Sequence, residues 1–580
     1  MDARRLASRS LLATLALSAC HAWTPPAPPP VAEIAAHPDP VDQRPTKKRA
    51  PVAFGPLRDR LLAEIFADDP GLARSLGLHA HDGKVAPVSA SAIAQRIARA
   101  RAALADLGAV ELGPLSPDER LDHALLTQRA ESDLFQLEDL GQWRVRPQFY
   151  EDLFTVNGYL DRDYAPLVER ARRLLAHEEA ALAEVGHIKA NLKGPLSRPV
   201  VETAIKVFKG HAEYLTKDVP KRLAGVGDRA FQDKLARVNG ALAAAAADLA
   251  DHLTRVELPR GDDSHVLGPD RYRKLLWVQE GLRTPLSELE KMGEDDLARN
   301  KKAYEELLAK KVTPRKVDKA SLFREAERLT AASRKFLVDK ALVTIPSEEK
   351  ATVKETPPFM RWNFAFLDAP GAFEDKAREA FYYITRPDPT WSKQDQAAYL
   401  PDRGTLLATT VHEVYPGHFL QRLWEKRAPT QVQKVFSSYS FTEGWAHYGE
   451  QMMIEEGFGA KDPEARLGQI GDALLRNCRV LVSIGVHTKG MTLAQAEERF
   501  ARDCHQDKVT AREQAVRATF DPGYFAYTLG KIQILALREE ARKKLGARFS
   551  LRRFHDALLS HGAPPVPLIR ERVLAEIDQP

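Results

Sequence analysis

Two imidazoles and a carboxylate lie within seven residues of this chain, in the run His412-Glu413-Val414-Tyr415-Pro416-Gly417-His418. A second run, Thr442-Glu443-Gly444-Trp445-Ala446-His447-Tyr448, brings another carboxylate. Those residue types suit a hydrolytic zinc site, which takes three protein ligands and keeps one position for water. The pattern is H-E-x-x-H with a proline and a glycine inserted. In an uninterrupted helix the two histidines lie at i and i+4 on one face, with the glutamate between them as base. Here the second histidine falls at i+6, and at roughly 100° per residue six steps carry it to the far side of a regular helix.

Pro416 resolves the conflict. It lacks an amide hydrogen, clashes with the carbonyl four residues back and pushes Tyr415 out of helical angles. Gly417 then allows backbone geometry that other residues avoid. The expectation is a helix over about 405–414, an extruded Pro-Gly kink, and a second helix from His418. His412 and His418 then face one ion, with Glu413 beside them as general base. Glu443 lies 25 positions beyond His418. That leaves room for a turn around Ala428-Pro429-Thr430 and an antiparallel helix returning Glu443 as third ligand. His447 and Glu450 share the Glu443 helix face and are candidates to orient the ligands.

A third segment, Arg517 to Lys531, carries Asp521-Pro522-Gly523-Tyr524 and Tyr527. Water attack on a carbonyl builds negative charge on oxygen, and a fixed hydroxyl aimed there lowers the barrier. Tyr527 is the first candidate for that role and Tyr524 the second. Arg517 is read either as a two-pronged binder of a substrate carboxylate or as half of a structural ion pair. His487 is a further candidate donor, set against an ordinary core histidine. The strand 380–385 is read either as an exposed edge that holds a peptide by backbone pairing, with Tyr383 against substrate, or as a small structural hairpin.

The elements that position these groups are helical. From Leu57 onward apolar residues recur at three and four positions, as in 93–107, 167–182 and 235–253, with breaks at Pro285, Pro314 and Pro346. The chain has 580 residues, 44% hydrophobic and 28% charged, an ordinary globular balance. Its net charge of +5 comes from 85 basic and 80 acidic residues spread throughout, with no basic block to argue for nucleic acid. The start reads as a secretory signal peptide, with Arg4, Arg5 and Arg9 before a short apolar run ending Leu17-Ser18-Ala19-Cys20. That ending resembles the bacterial lipobox, which implies cleavage before Cys20 and its acylation. Residues 1–19 are thus the leader, 20–54 a proline-rich tether and 55–580 one helical catalytic domain. Cys478 and Cys504 either pair in an oxidising compartment or stay as buried thiols.

Taken together these segments resemble the bacterial DUF885 family. The H-E-x-x-P-G-H run (His412 to His418), the T-E-G-W-A run (Thr442 to Ala446), and Pro522-Gly523 with Tyr527 and Gly530 carry the likeness, with Phe554-His555 and Gly562 near the C-terminus. The resemblance implies a mainly α fold, similar to helical metallopeptidases with H-E-x-x-H plus a glutamate. It also implies a deep central channel, to which the strand reading at 380–385 adds a small antiparallel β element. It implies His412, His418 and Glu443 as metal ligands, Glu413 as base and Tyr527 as oxyanion donor. One departure is Ser483, where many members carry an aspartate ahead of Gly485 and His487. The function expected is a zinc peptidase acting on short peptides, lipid-anchored through Cys20 in the bacterial envelope, facing the periplasm or at the outer membrane and cell exterior. The rivals are a hydrolase of non-peptide amides or cell-wall fragments, and a binding lipoprotein with a vestigial metal site.

Overall fold

The computed structural model describes residues 51–579 apart from 358, 359, 362 and 375–378. The leader, Cys20 and nearly all of the proline-rich tether lie outside the described residues. The fold is mainly α, as the periodicity predicts. In the N-terminal half, helices Leu167–Glu184, Arg198–Arg222 and Arg229–His252 close their own core around Leu174, Phe208 and Leu242. The C-terminal half builds the site. Among the described residues no helix is long and apolar enough to cross a membrane.

The site helices start at side-chain caps that satisfy otherwise unpaired backbone N–H groups. Asp402 accepts from the Thr405 amide to open helix Arg403–Glu413. Ser438 accepts from Phe441 to open Tyr439–Glu455. Asp462 accepts from Glu464 to open the long helix Pro463–Thr488. Cys478 on that helix is bonded to Cys504, just past helix Leu493–Asp503, which settles the cysteine question that sequence spacing left open.

The β element has three strands, β1 (Ala351–Glu355), β2 (Ala365–Asp368) and β3 (Ala380–Ile384), in the order β1-β3-β2. β2 and β3 are antiparallel, but β1 joins β3 in parallel, so the sheet is mixed. β3 is the aromatic segment expected at the edge. It lies in the centre, buried along its whole length, because strands add to both sides of it. β2 is the outer strand next to the motif helix. Side chains alternate across a strand. Tyr382 therefore faces the motif helix, 3.3 Å from the Thr410 hydroxyl, while Tyr383 turns to Phe366 and Phe381. The reading of Tyr383 as a substrate contact on an exposed edge is corrected on both counts.

Candidate metal centre

The first motif folds with the expected break. Helix Arg403–Glu413 ends at the base candidate, and a new helix, His418–Glu425, begins at the second histidine. The Tyr415–Pro416 peptide is cis. The kink folds back so tightly that a Cβ on Gly417 would lie 1.7 Å from the His412 carbonyl oxygen, a space only glycine leaves. Trp445 of the second motif donates its indole N–H to the Pro416 carbonyl at 2.8 Å. The two motifs therefore hold each other's backbone as well as supplying side chains.

Glu443 sits in the first turns of helix Tyr439–Glu455. That helix crosses helix Ala526–Leu545, which carries Tyr527, at a glycine pair. A Cβ on Gly444 would lie 2.4 Å from the Gly530 Cα, and one on Gly530 would lie 1.8 Å from the Ser440 carbonyl oxygen. Backbone contact there sets Tyr527 against the site. Its ring stacks on His412 with centroids 6.2 Å apart and planes 18° from parallel.

One ligand atom each from His412, His418 and Glu443 lie within 4.8 Å of one another. The His412 Nε2 is 3.3 Å and the His418 Nε2 3.5 Å from the same Glu443 oxygen. Tetrahedral ligands on bonds of about 2.0–2.2 Å lie roughly 3.3–3.6 Å apart, so the spacing fits one cation between them. The donor chemistry fits as well. The His412 Nδ1 is 2.7 Å from a Glu450 oxygen, so an Nδ1–H donated there leaves the Nε2 lone pair facing Glu443. The Glu443 oxygen that both rings approach is buried and without a hydrogen bond among the described residues.

Electrostatics point the same way. Burial lowers the His412 imidazole, but Glu443 and Glu450 outweigh it and hold the ring at about 10. Burial would raise Glu443, yet His418 and His412 keep it well below the carboxylate range. The pocket calls for positive charge between the carboxylate and the rings, supplied by protons when no metal is there. Burial raises Glu413, beside the pair, above its ordinary value, while the two histidines and the Leu367 backbone N–H of β2 pull against that rise.

Glu450 is the hub behind the candidate ligands. Its second oxygen accepts from His447 at 3.1 Å and from Arg476 at 3.0 Å. Burial would raise its carboxyl, but Arg476 and the two histidines hold it far below the usual range. His447 and Glu450 stand behind His412, as the shared helix face predicts; Arg476, on the long helix, gives no sign of this contact in the sequence.

Three other candidates fall elsewhere. Arg517 is 2.8 Å from Asp521, four residues on at the C-cap of its helix, and also donates to the Tyr439 hydroxyl at 2.9 Å. Its charge is taken, so of its two readings the ion pair is the one observed. Tyr524 is fully buried with its hydroxyl unpartnered among the described residues; its ring lies under Arg479 and Arg517. His487 is about 16 Å along the long helix from Arg476 at the usual rise. It packs against Tyr272, and its Nε2 lies 2.8 Å from the Ala518 carbonyl. Burial lowers it to about 4. His487 is thus a neutral core histidine away from the ligand cluster, and its reading as an oxyanion donor is corrected. Ser483 donates to the Pro522 carbonyl at 2.7 Å and meets Tyr272 at 2.8 Å. It ties down the Pro-Gly loop that leads to Tyr527.

No curated protein matches the chain. Among solved structures, the fold is similar to a candidate lipoprotein of unknown function from Shewanella oneidensis, at 24% identity and a TM-score of 0.76, over 90% of this chain and all of that one. It is also similar to a candidate lipoprotein from Colwellia psychrerythraea, at 18% identity and a TM-score of 0.73, over 90% of this chain and 99% of that one. A carboxypeptidase structure from Pyrococcus furiosus aligns over 90% of this chain and 93% of its own at 12% identity, but the TM-score of 0.37 is too low to bear on fold or function. Residues 70–573 match a family of bacterial proteins of unknown function, and the chain therefore belongs to the DUF885 family.

Proposed function

We propose that this protein is a zinc-dependent peptidase of the bacterial envelope, held to a membrane through an acylated Cys20. One observation carries the reading: three potential donor atoms, on His412, His418 and Glu443, converge at 3.3 and 3.5 Å around one buried carboxylate oxygen. A buried carboxylate needs positive charge beside it, and a cation held by both rings supplies it. Two imidazoles and one carboxylate are a donor set that suits zinc. Zinc held there would polarise a substrate carbonyl and lower the pKa of bound water to roughly 7.

The remaining work falls to the chain. Glu413, adjacent in sequence to the first ligand and raised by burial, takes a proton from the attacking water and later gives it to the leaving amine. The amide of Leu367 holds its carboxylate in place. Tyr527, stacked beside His412, presents its hydroxyl to the oxygen on which charge develops. β2, the outer strand on this side of the sheet, offers backbone to an extended peptide. Glu450 fixes the His412 tautomer.

The test is Glu413→Gln in the full chain. Zinc content should remain at one equivalent, while peptide hydrolysis falls by 10²-fold or more, the scale of general-base catalysis. Hydrolysis at the wild-type rate by the variant would refute the role of Glu413.

A further inference from the structure

Three arginines stand near Tyr527, and only two have a carboxylate. Arg476 pairs with Glu450, and Arg517 with Asp521. Arg479, one helical turn beyond Arg476, has no carboxylate within ion-pair distance among the described residues. Its one hydrogen bond to them runs from Nε to the Gln514 side-chain oxygen at 2.9 Å, so both terminal nitrogens are unclaimed. The residue is 8% exposed, and a cation buried to that degree is costly without an anion. Burial and the neighbouring Arg517 push its guanidinium below the ordinary range, which fits a site short of negative charge.

The position of this cation gives it a use. The Arg479 guanidinium lies over the Tyr527 ring, 4.6 Å from its centroid, and that ring stacks on His412 at 6.2 Å. The cation is therefore no more than roughly 11 Å from the ring of a candidate ligand, on the Tyr527 side. An ion pair of about 4 Å followed by one or two extended residues of about 3.3–3.6 Å each fills that distance.

We infer that Arg479 binds the free C-terminal carboxylate of the substrate, so that the protein removes one- or two-residue fragments from peptide C-termini. The inference rests on the peptidase reading above and narrows it to an exopeptidase. The two terminal nitrogens form the planar fork that a carboxylate accepts in two parallel hydrogen bonds. Gln514 holds the fork from behind, and the Tyr527 face supports the cation. Water adds across the peptide bond ahead of the fragment: the C–N bond breaks, the hydroxyl goes to the acyl carbon, and the proton goes to the amine of the leaving fragment, whose C-terminal carboxylate Arg479 holds.

The test uses the zinc-loaded full chain with an N-acetylated tetrapeptide and its C-terminal amide. Cleavage is followed by mass spectrometry, and binding to the Glu413→Gln protein by calorimetry. The free acid should bind and react on the order of 10- to 100-fold better than the amide, the range for hydrogen bonds to a charged group. Its products should be one- or two-residue C-terminal fragments. R479Q should erase the difference in both assays, and R479K should restore part of it, with thermal unfolding showing each variant folded. Equal treatment of acid and amide by the wild type, or an undiminished preference in R479Q, overturns the role of Arg479 while leaving a peptidase. If neither peptide is cleaved but the acid still binds through Arg479, the peptidase reading falls and the carboxylate site stands. If neither is cleaved and neither binds preferentially, both fall.

Discussion

Glu450→Gln changes one atom behind the candidate metal centre and should be felt at its front. The Glu450 carboxylate is 1% exposed and accepts from His412 at 2.7 Å, His447 at 3.1 Å and Arg476 at 3.0 Å. A hydrogen bond to a charged group contributes about 1.5–3 kcal/mol, roughly twice a neutral one. A glutamine oxygen can still accept from His412, so about half of that bond is lost and the imidazole becomes a poorer donor. The glutamine NH2 must also face His447 or Arg476, which disturbs the tautomer that His412 needs. Loss of such an outer partner weakens metal binding by about 10- to 100-fold, equal to about 1.4–2.7 kcal/mol. The assay is zinc competition with a chromogenic chelator at fixed pH, on variant and wild type in parallel. Thermal unfolding of the metal-free proteins measures the separate cost of leaving Arg476 with only Asp472, at 3.8 Å, as an anionic partner. Zinc affinity within twofold of wild type would refute the role given to Glu450.

Gly417→Ala places a methyl group where the His412 carbonyl oxygen lies 1.7 Å away, so the kink must open and His418 must swing from the cluster; zinc should be lost by metal analysis while far-UV circular dichroism still reports a helical protein. Glu178, remote from the centre, is fully buried, has both side-chain oxygens unpartnered among the described residues, and is raised by burial from 4.5 to about 8. An acid raised on folding gives its full stability below the unfolded pKa, and that contribution is lost as pH climbs toward the folded value. Glu178→Gln should therefore match wild type in thermal unfolding near pH 4.5 and exceed it by roughly 3 kcal/mol at pH 7; a difference that stays flat from pH 4.5 to 8 would remove the titration from the account.

The convergence of His412, His418 and Glu443 was legible because its signal is local. Proline and glycine between His412 and His418 can only break a helix, and the distance to Glu443 fits a returning helix. The pair Gly444 and Gly530 was visible within its motifs, but its meaning lies in a helix crossing that one chain does not announce. Arg517 could have been assigned from the sequence alone, since Asp521 stands four residues on and such helical pairs meet. The strand around Tyr382 and Tyr383 was recognised, whereas its central place was not, because strand order depends on β1, which has no aromatic residue, and on β2, which has only Phe366. Arg479 left no trace in the sequence. What marks it is the lack of a carboxylate partner among the described residues, and that shows only when the neighbours from the Lys508–Phe520 and Ala526–Leu545 helices are in place.

A crystal structure of the zinc-loaded protein, with anomalous data collected at the zinc edge, addresses the core of the account. One peak is predicted among the His412 Nε2, His418 Nε2 and Glu443 carboxylate, about 2.0–2.2 Å from each. The absence of a peak there in a crystal that holds zinc elsewhere would contradict the proposed centre and every catalytic role built on it.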